Sequence, residues 1–198
     1  KYVYKRLYIV EANLRYDGSD KFPKGQGWGF FPSVSVGWNV DKEPLMQPLL
    51  NNNWFSALKF RFSWGKIGLD DVGNFKYLSV YNKGNDFYEG GKWNSTLREG
   101  DLVSQDLTWY SRNTINLAVD AEFFQQRLSA NFEYFYYRTT NYLANPKDAY
   151  TTPFGTAMPI VKTNSAHRRA GYELNLAWID KIERDYKYNE GLNLSYLN

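Results

Sequence analysis

Few residues of this sequence have the chemistry of a catalytic site. His167 is the only histidine among 198 residues, and Arg168 and Arg169 follow it directly. We place it in a loop, where a histidine is more often solvated than catalytic. The chain contains no cysteine, which excludes thiol catalysis, disulfide bonds and cysteine-based zinc sites. The sequence therefore predicts no catalytic residue, and we expect a protein that is not an enzyme.

Two pairs of acidic residues, Asp17 with Asp20 and Asp70 with Asp71, could form a carboxylate dyad or bind calcium. Neither pair has the alternating oxygen ligands of a calcium loop, and aspartate is a common turn residue. The glycine-rich run Gly25–Gly29 lacks the Lys-Ser/Thr ending of a phosphate loop and precedes a predicted strand. We therefore predict no metal site and no cofactor.

Aromatic residues offer the better candidates for a binding surface. They make up 19% of the chain, and five of them lie among Asn and Gly residues in predicted loops. The candidate substrate-binding residues are Tyr81, Tyr88, Trp93, Trp109 and Tyr110. Flat rings stack on sugars and dock peptides, but an aromatic girdle at the outer leaflet together with loop packing explains them equally well.

Seven segments in which apolar and polar residues alternate hold these loops in place. In the first segment, Tyr8, Val10, Ala12, Leu14 and Tyr16 alternate with polar residues. The same alternation recurs near residues 30–41, 58–65, 115–123, 128–136, 172–178 and 188–196. A period of two predicts strands with one apolar and one polar face. These strands run for about ten or more residues, which suits an oblique bilayer crossing better than a soluble sheet.

The connections alternate in length between the two ends of the strands. Residues 124–127 form a short turn, whereas the stretches near 66–107 and 141–167 are long. We expect these two stretches and residues 17–27 to be extracellular, and the links near 41–53, 124–127 and 181–187 to be periplasmic. The sequence thus predicts an all-β fold, a segment of an antiparallel transmembrane β-barrel.

The polar faces of these strands would line the interior of that barrel. No apolar stretch approaches the roughly 18 to 20 residues of a membrane helix, so a crossing must use strands. Seven strands are too few for a nutrient barrel of about 22 strands, so we expect an arc of such a barrel. The predicted interior residues are Glu11, Asn13, Arg15, Lys59, Arg61, Asn116, Asp120, Glu122, Asn131 and Glu133.

Particular runs of residues add a family resemblance. The run Leu14–Ser19 is followed by Phe22 and by Trp28–Trp38. Further marks follow in order: Glu43-Pro44, Leu58–Gly65, Gly73-Asn74, Leu107–Trp109, Phe124–Leu128 and Tyr134–Thr139. This series resembles the barrel region of SusC/RagA-type TonB-dependent transporters. Asp20 and Lys21 replace a Ser and an Arg common in that family, and Trp64 stands where Tyr is common.

The resemblance implies a role in the bacterial outer membrane, as a multi-pass β-barrel in contact with lipid. It implies import of bulky nutrients, either glycans or peptides, together with a SusD-like surface lipoprotein and the TonB protein. Residues 1–198 would form part of the barrel domain, with the plug domain and the TonB-binding segment outside this chain. The chain starts at Lys1 and stops inside an alternating segment, which also suggests a fragment.

Other classes of partner and of protein are alternatives to this hypothesis. The 24 basic and 21 acidic residues are scattered without a basic block, so nucleic acid is not an expected partner. A passive porin or a siderophore receptor would share the strand pattern. A soluble carbohydrate-binding β-sandwich would pack its apolar faces together, but its turns every 8 to 12 residues or so are too frequent for these strands.

Overall fold

A computed structural model describes residues 1–46, 48, 54–144, 159–163, 165–182 and 186–198. In these residues the chain is almost entirely strand and loop, with two 3-10 turns, Val40–Lys42 and Pro44–Met46. No helix in this part is both long enough and apolar enough to cross a membrane. In chain order the strands are β1 (Tyr2–Tyr4), β2 (Tyr8–Gly18), β3 (Trp28–Asn39), β4 (Phe55–Leu69), β5 (Tyr81–Lys83), β6 (Phe87–Glu89), β7 (Lys92–Asn94), β8 (Leu97–Glu99), β9 (Tyr110–Phe123), β10 (Leu128–Thr140), β11 (Leu143–Ala144), β12 (Val161–Lys162), β13 (His167–Ile182) and β14 (Tyr186–Leu197).

One antiparallel sheet contains all the long strands, in the order β1-β2-β3-β4-β9-β10-β13-β14. Its seven long strands have 11 to 16 residues each, and they correspond to the seven predicted segments. At about 3.4 Å per residue, even the shortest is long enough to cross a bilayer obliquely. Strand β1 was not predicted, because three residues are too few to display an alternation.

The apolar residues of the predicted alternation share one face of the sheet on all seven long strands. Directly opposed residues of an antiparallel pair point to the same side. The register therefore traces one row of this face across every long strand, through Val10, Val36, Phe62, Leu117, Tyr134, Tyr172 and Tyr196. We call this side the apolar face, and it confirms the predicted grouping of these residues.

No second layer of protein covers the apolar face in the described part of the chain. Phe60, at its centre, keeps 40% of its surface exposed, and Val34 and Leu174 are only partly buried. In a β-sandwich these three side chains would be packed against a second sheet and removed from solvent. The soluble sandwich is therefore wrong.

The opposite side of the sheet, which we call the polar face, carries the predicted interior residues. One of its rows passes through Asn39, Lys59, Asp120, Asn131, Asn175 and Asn193. A neighbouring row passes through Ile9, Gly37, Arg61, Ala118, Glu133, Glu173 and Ser195. All ten predicted interior residues lie on this side, because their strands keep a continuous register.

The two ends of the sheet carry different connections. At one end, the turn between β9 and β10 is short, and Phe124, Gln125 and Gln126 all have positive φ, between 54° and 69°. The link after β3 is longer and contains the two 3-10 turns. The opposite end, which we call the loop end, carries residues 19–27 and the connections from β4 to β9 and from β10 to β13.

The structure corrects the placement of His167. It is the first residue of β13 and pairs with Thr139, so it lies in a strand and not in a loop. Its imidazole lies edge-on to the ring of Tyr142, with centroids 6.3 Å apart. The sequence does not reveal this, because Arg168 interrupts the apolar alternation of β13 and the pairing with β10 is visible only in three dimensions.

Candidate functional site

A hydrogen-bonded network crosses the middle of the polar face. The Arg61 guanidinium on β4 donates twice to Asp120 on β9, with Nε to Oδ2 at 2.7 Å and Nη2 to Oδ1 at 3.0 Å. Asn131 on β10 donates to the same carboxylate, and Asn175 on β13 donates to Asn131 at 3.3 Å. Bidentate, charge-assisted contacts of this kind fix side-chain orientation. The network therefore gives the polar face a defined pattern of charge over four adjacent strands.

Two open hollows flank this network. One of about 230 Å³ is lined by Ile9, Ser35, Arg61, Asn116 and Glu133, among others. A larger hollow of about 470 Å³ lies nearer the loop end and shares Asn116 in its wall. The Oδ1 atom of Asn116 is buried and accepts no hydrogen bond from any described residue. The two hollows give the polar face recessed surfaces with polar residues in their walls.

Arginine and aromatic side chains alternate on the polar face near the loop end. The Arg15 guanidinium lies 5.6 Å from the centroid of the Phe31 ring, and that of Arg112 lies 4.8 Å from the Tyr137 ring. Arg112 also donates to Thr139 Oγ1 at 3.2 Å. Arg15 is also ion-paired with Asp17, with 2.6 Å between Nε and Oδ2, whereas stacking on Tyr137 holds the Arg112 cation without neutralising it. In this part of the polar face, Arg112 therefore presents positive charge to the interior.

The connections at the loop end share a small hydrophobic core. Phe22, Val72 and Leu107 are buried in it, and Leu107 keeps only 1% of its surface exposed. The partly buried side chains around them are Tyr77, Trp109, Leu143 and Ile160. We call these seven residues the loop core. It unites segments that are as much as 138 positions apart in the chain, from Phe22 to Ile160.

Asp70 ties two of these loops together. Its Oδ2 accepts a hydrogen bond from Ser19 Oγ at 3.0 Å and lies 3.4 Å from Lys21 Nζ, which also donates to the Asp70 carbonyl. Asp71 instead lies 3.5 Å from the Tyr110 hydroxyl. The two adjacent carboxylates therefore serve different contacts. No group of three potential metal ligands occurs in the described ranges.

Trp109 and Tyr110, two of the five candidate aromatics, pack within the protein. Trp109 donates from Nε1 to the Gly27 carbonyl at 3.0 Å, and its ring packs against Phe22 and Phe31 at 5.5 and 5.2 Å. Tyr110 stacks on Tyr142 at 5.7 Å. Both rings make contacts that hold the loops in place.

The other three candidate aromatics project into solvent. Tyr88 and Trp93 lie opposite each other on the β6–β7 hairpin, with ring centroids 5.4 Å apart and 62% and 71% of their surfaces exposed. Tyr81 lies on β5, which pairs with β8 at the base of the same excursion. The structure thus separates the five residues into two groups, and their contact with cargo stays a prediction.

A single sheet of long strands, apolar on one side and polar on the other, defines a segment of a membrane β-barrel. The comparison with protein families agrees. The chain belongs to the family of TonB dependent receptor-like β-barrels, whose model matches residues 4–198. Barrels of this family lie in the outer membrane, so the long strands cross that membrane and the polar face lines the barrel interior. The family consists of receptors and transporters and not of enzymes, as predicted.

Individual relatives support the same assignment. The chain is 28% identical to TonB-dependent receptor P39 of Formosa agariphila, over 98% of the chain. It is 26% identical to TonB-dependent receptor SusC of Bacteroides thetaiotaomicron, over 96%. The structure of the RagAB peptide importer in its open-open state superposes with a TM-score of 0.83 at 20% identity, over 98% of the chain. The chain spans about a fifth of the length of each of these relatives.

Proposed function

We propose that this chain is part of the barrel of an outer-membrane importer of bulky nutrients, driven through TonB. In this proposal residues 1–198 belong to the barrel domain, and a plug domain outside this chain fills the interior. The family and the SusC relative support TonB dependence. The RagAB neighbour, which is a peptide importer by its name, favours large polar cargo such as peptides or glycans.

The polar face is the observation that carries the proposal. A wide passive channel needs only a wetted wall, and water satisfies every polar group of such a wall. This polar face has defined hollows beside a side-chain network of Arg61, Asp120, Asn131 and Asn175 that hydrogen bonds hold in a fixed orientation. Such features suit a wall that contacts a second protein layer, as a plug would provide. This favours a gated importer over a passive porin.

The exposed hairpin suits a role in capture at the cell surface. Tyr88 and Trp93 lie outside the loop core and present two exposed rings in edge-to-face contact, with an interplanar angle of 64°. Rings held in this way contact sugar or peptide surfaces at low entropic cost. In the proposed function they meet cargo or the SusD-like lipoprotein that covers it.

Energised uptake separates this proposal from a passive channel. The test uses the full-length protein in its own bacterium, with fluorescent oligosaccharides or peptides as cargo, in strains with and without TonB. Import is expected to stop when TonB is removed or the proton gradient is dissipated. Uptake that continues unchanged in both conditions would show a passive porin.

A paired substitution tests the hairpin separately. Replacing Tyr88 and Trp93 with Ala should weaken cargo capture several-fold, whereas replacing the neighbouring exposed Phe87 should have little effect. Equal uptake by all three proteins would remove the hairpin from the capture site while leaving the importer hypothesis intact.

A further inference from the structure

Cations form a row on the apolar face at the loop end. Asn113 on β9 lies opposite Lys66 on β4 and, on its other side, opposite Arg138 on β10. Arg138 in turn lies directly opposite Arg168 on β13. We call Lys66, Arg138 and Arg168 the cation row. All three point to the same side as the lipid-facing residues, because the register is continuous across the four strands.

The cation row begins where the apolar band ends. On β10, the residues of the apolar face from Leu128 to Tyr136 are all apolar or aromatic, and Arg138 is the next residue on that face. This stretch of 128–136 is close to the roughly 9 to 11 residues that a tilted strand needs to cross the hydrocarbon. On β4, Lys66 likewise follows the outward-facing Trp64. The row therefore lies at the level of the lipid headgroups.

Nothing in the described part of the chain neutralises this charge. None of the three cations forms an ion pair with a described acidic side chain. The only acids that the described strands place on the apolar face, Asp180 and Glu190, lie at the opposite end of β13 and β14. Arg138 and Arg168 are directly opposed across two strands. Like charges in that position are destabilising. An external anion would remove that repulsion.

We propose that the cation row binds the phosphate groups of the glycolipid in the outer leaflet. A guanidinium matches phosphate oxygens with two parallel donors, and a lysine extends its ammonium along the interface. The Asn113 amide supplies a further donor between the cations. The rings of Trp64 and Tyr136 lie one step below, on the same face, where acyl chains begin. A lipid satisfies both levels, whereas free phosphate satisfies only the upper one.

The test measures lipid retention by the full-length protein. The protein is placed in phosphatidylcholine nanodiscs doped with diphosphoryl lipid A or with its dephosphorylated form, and the retained lipid is quantified by native mass spectrometry. The variants are the triple change Lys66→Gln, Arg138→Gln and Arg168→Gln, and Arg138→Gln alone. Arg169→Gln is the matched control, because Arg169 is the next residue of β13 but lies on the polar face, near Tyr137.

The wild-type protein should retain diphosphoryl lipid A at least ten-fold better than the dephosphorylated form. Retention of diphosphoryl lipid A should fall about ten-fold in the triple variant and several-fold in Arg138→Gln. Arg169→Gln should retain as much of it as the wild-type protein. If the triple variant does not fold, Arg138→Gln alone decides. Three results would each overturn the proposal: retention that ignores the phosphates, equal retention by wild-type and variant proteins, or full displacement of the lipid by millimolar inorganic phosphate.

Discussion

Arg61 holds Asp120 with two parallel hydrogen bonds across the β4–β9 pair, on the face that lines the barrel interior. The same carboxylate accepts a third hydrogen bond from Asn131. A bidentate ion pair in this position is neither fully exposed nor dry, since each side chain keeps 35% to 40% of its surface accessible. Its contribution is therefore orientation of the network more than stability.

Removing one charge of this pair should cost more than removing both. Asp120→Asn leaves the Arg61 cation without its carboxylate, and we expect a loss on the order of 1 kcal/mol, because partly exposed pairs are screened. The double variant Arg61→Gln with Asp120→Asn should regain part of it. The temperature at which the full-length protein loses its heat-modifiable gel migration measures both. Identical temperatures for all three proteins would mean that the pair does not contribute.

The assignment of the two faces is tested by one adjacent pair of residues on β3. Val36 points to the lipid and Ser35 to the interior. Val36→Arg should destabilise the barrel by about 2 to 4 kcal/mol, the cost of an arginine near the middle of a bilayer. Ser35→Arg should assemble far better. Outer-membrane yield and heat-modifiable migration report the difference, and equal defects would contradict the faces.

The close approach of Phe31 to Gly68 predicts a steric effect. The Phe31 ring occupies the place that a Cβ at Gly68 would need, and the same ring supports Trp109. Gly68→Ala should therefore displace the ring and cost about 1 to 3 kcal/mol through overpacking. Gly191→Ala is the control, because the nearest atom to its Cβ would lie at 3.7 Å, an ordinary contact.

A second substitution identifies the cause of that effect. Phe31→Leu in the Gly68→Ala background makes room for the new methyl group and should restore part of the lost stability. Denaturant unfolding of the full-length protein measures all four proteins. A Gly68→Ala protein as stable as the wild type would show that Phe31 can move aside freely.

The contact between Asp70 and residues 19–27 predicts a change in loop protection. Asp70→Ala removes the carboxylate that Ser19 and Lys21 contact, so the loop should open more often and Lys-C should cleave at Lys21 or Lys24 several-fold faster. Asp71→Ala should leave these sites protected, because Asp71 contacts Tyr110 instead. Equal cleavage rates in the two variants would show that the loop core alone holds the loop closed.

The sequence predicted the strands and their faces because each long strand carries its own information. The alternation of Val34, Val36 and Trp38 with small or polar residues is legible without knowing any partner strand. Strands β5 to β8 have only three residues each, and their pairing depends on turns that periodicity does not reveal.

The roles of individual side chains required the three-dimensional register. Trp93 and Trp109 are both tryptophans in polar surroundings, yet one is exposed and the other packs on Phe22, which is 87 residues away. The cation row combines Lys66, Arg138 and Arg168, which become neighbours only after three strand pairings are known. Contacts between residues so far apart in the chain could not be predicted from local patterns.

The loop core has a consequence for how such a protein diversifies. Val72 and Leu107 pack in the loop core at the two ends of the excursion that carries Tyr88 and Trp93. Changes in length or composition between residues 81 and 99 therefore leave the loop core and the strand register unaltered. The exposed hairpin can thus vary over evolution while the sheet that crosses the membrane is inherited unchanged.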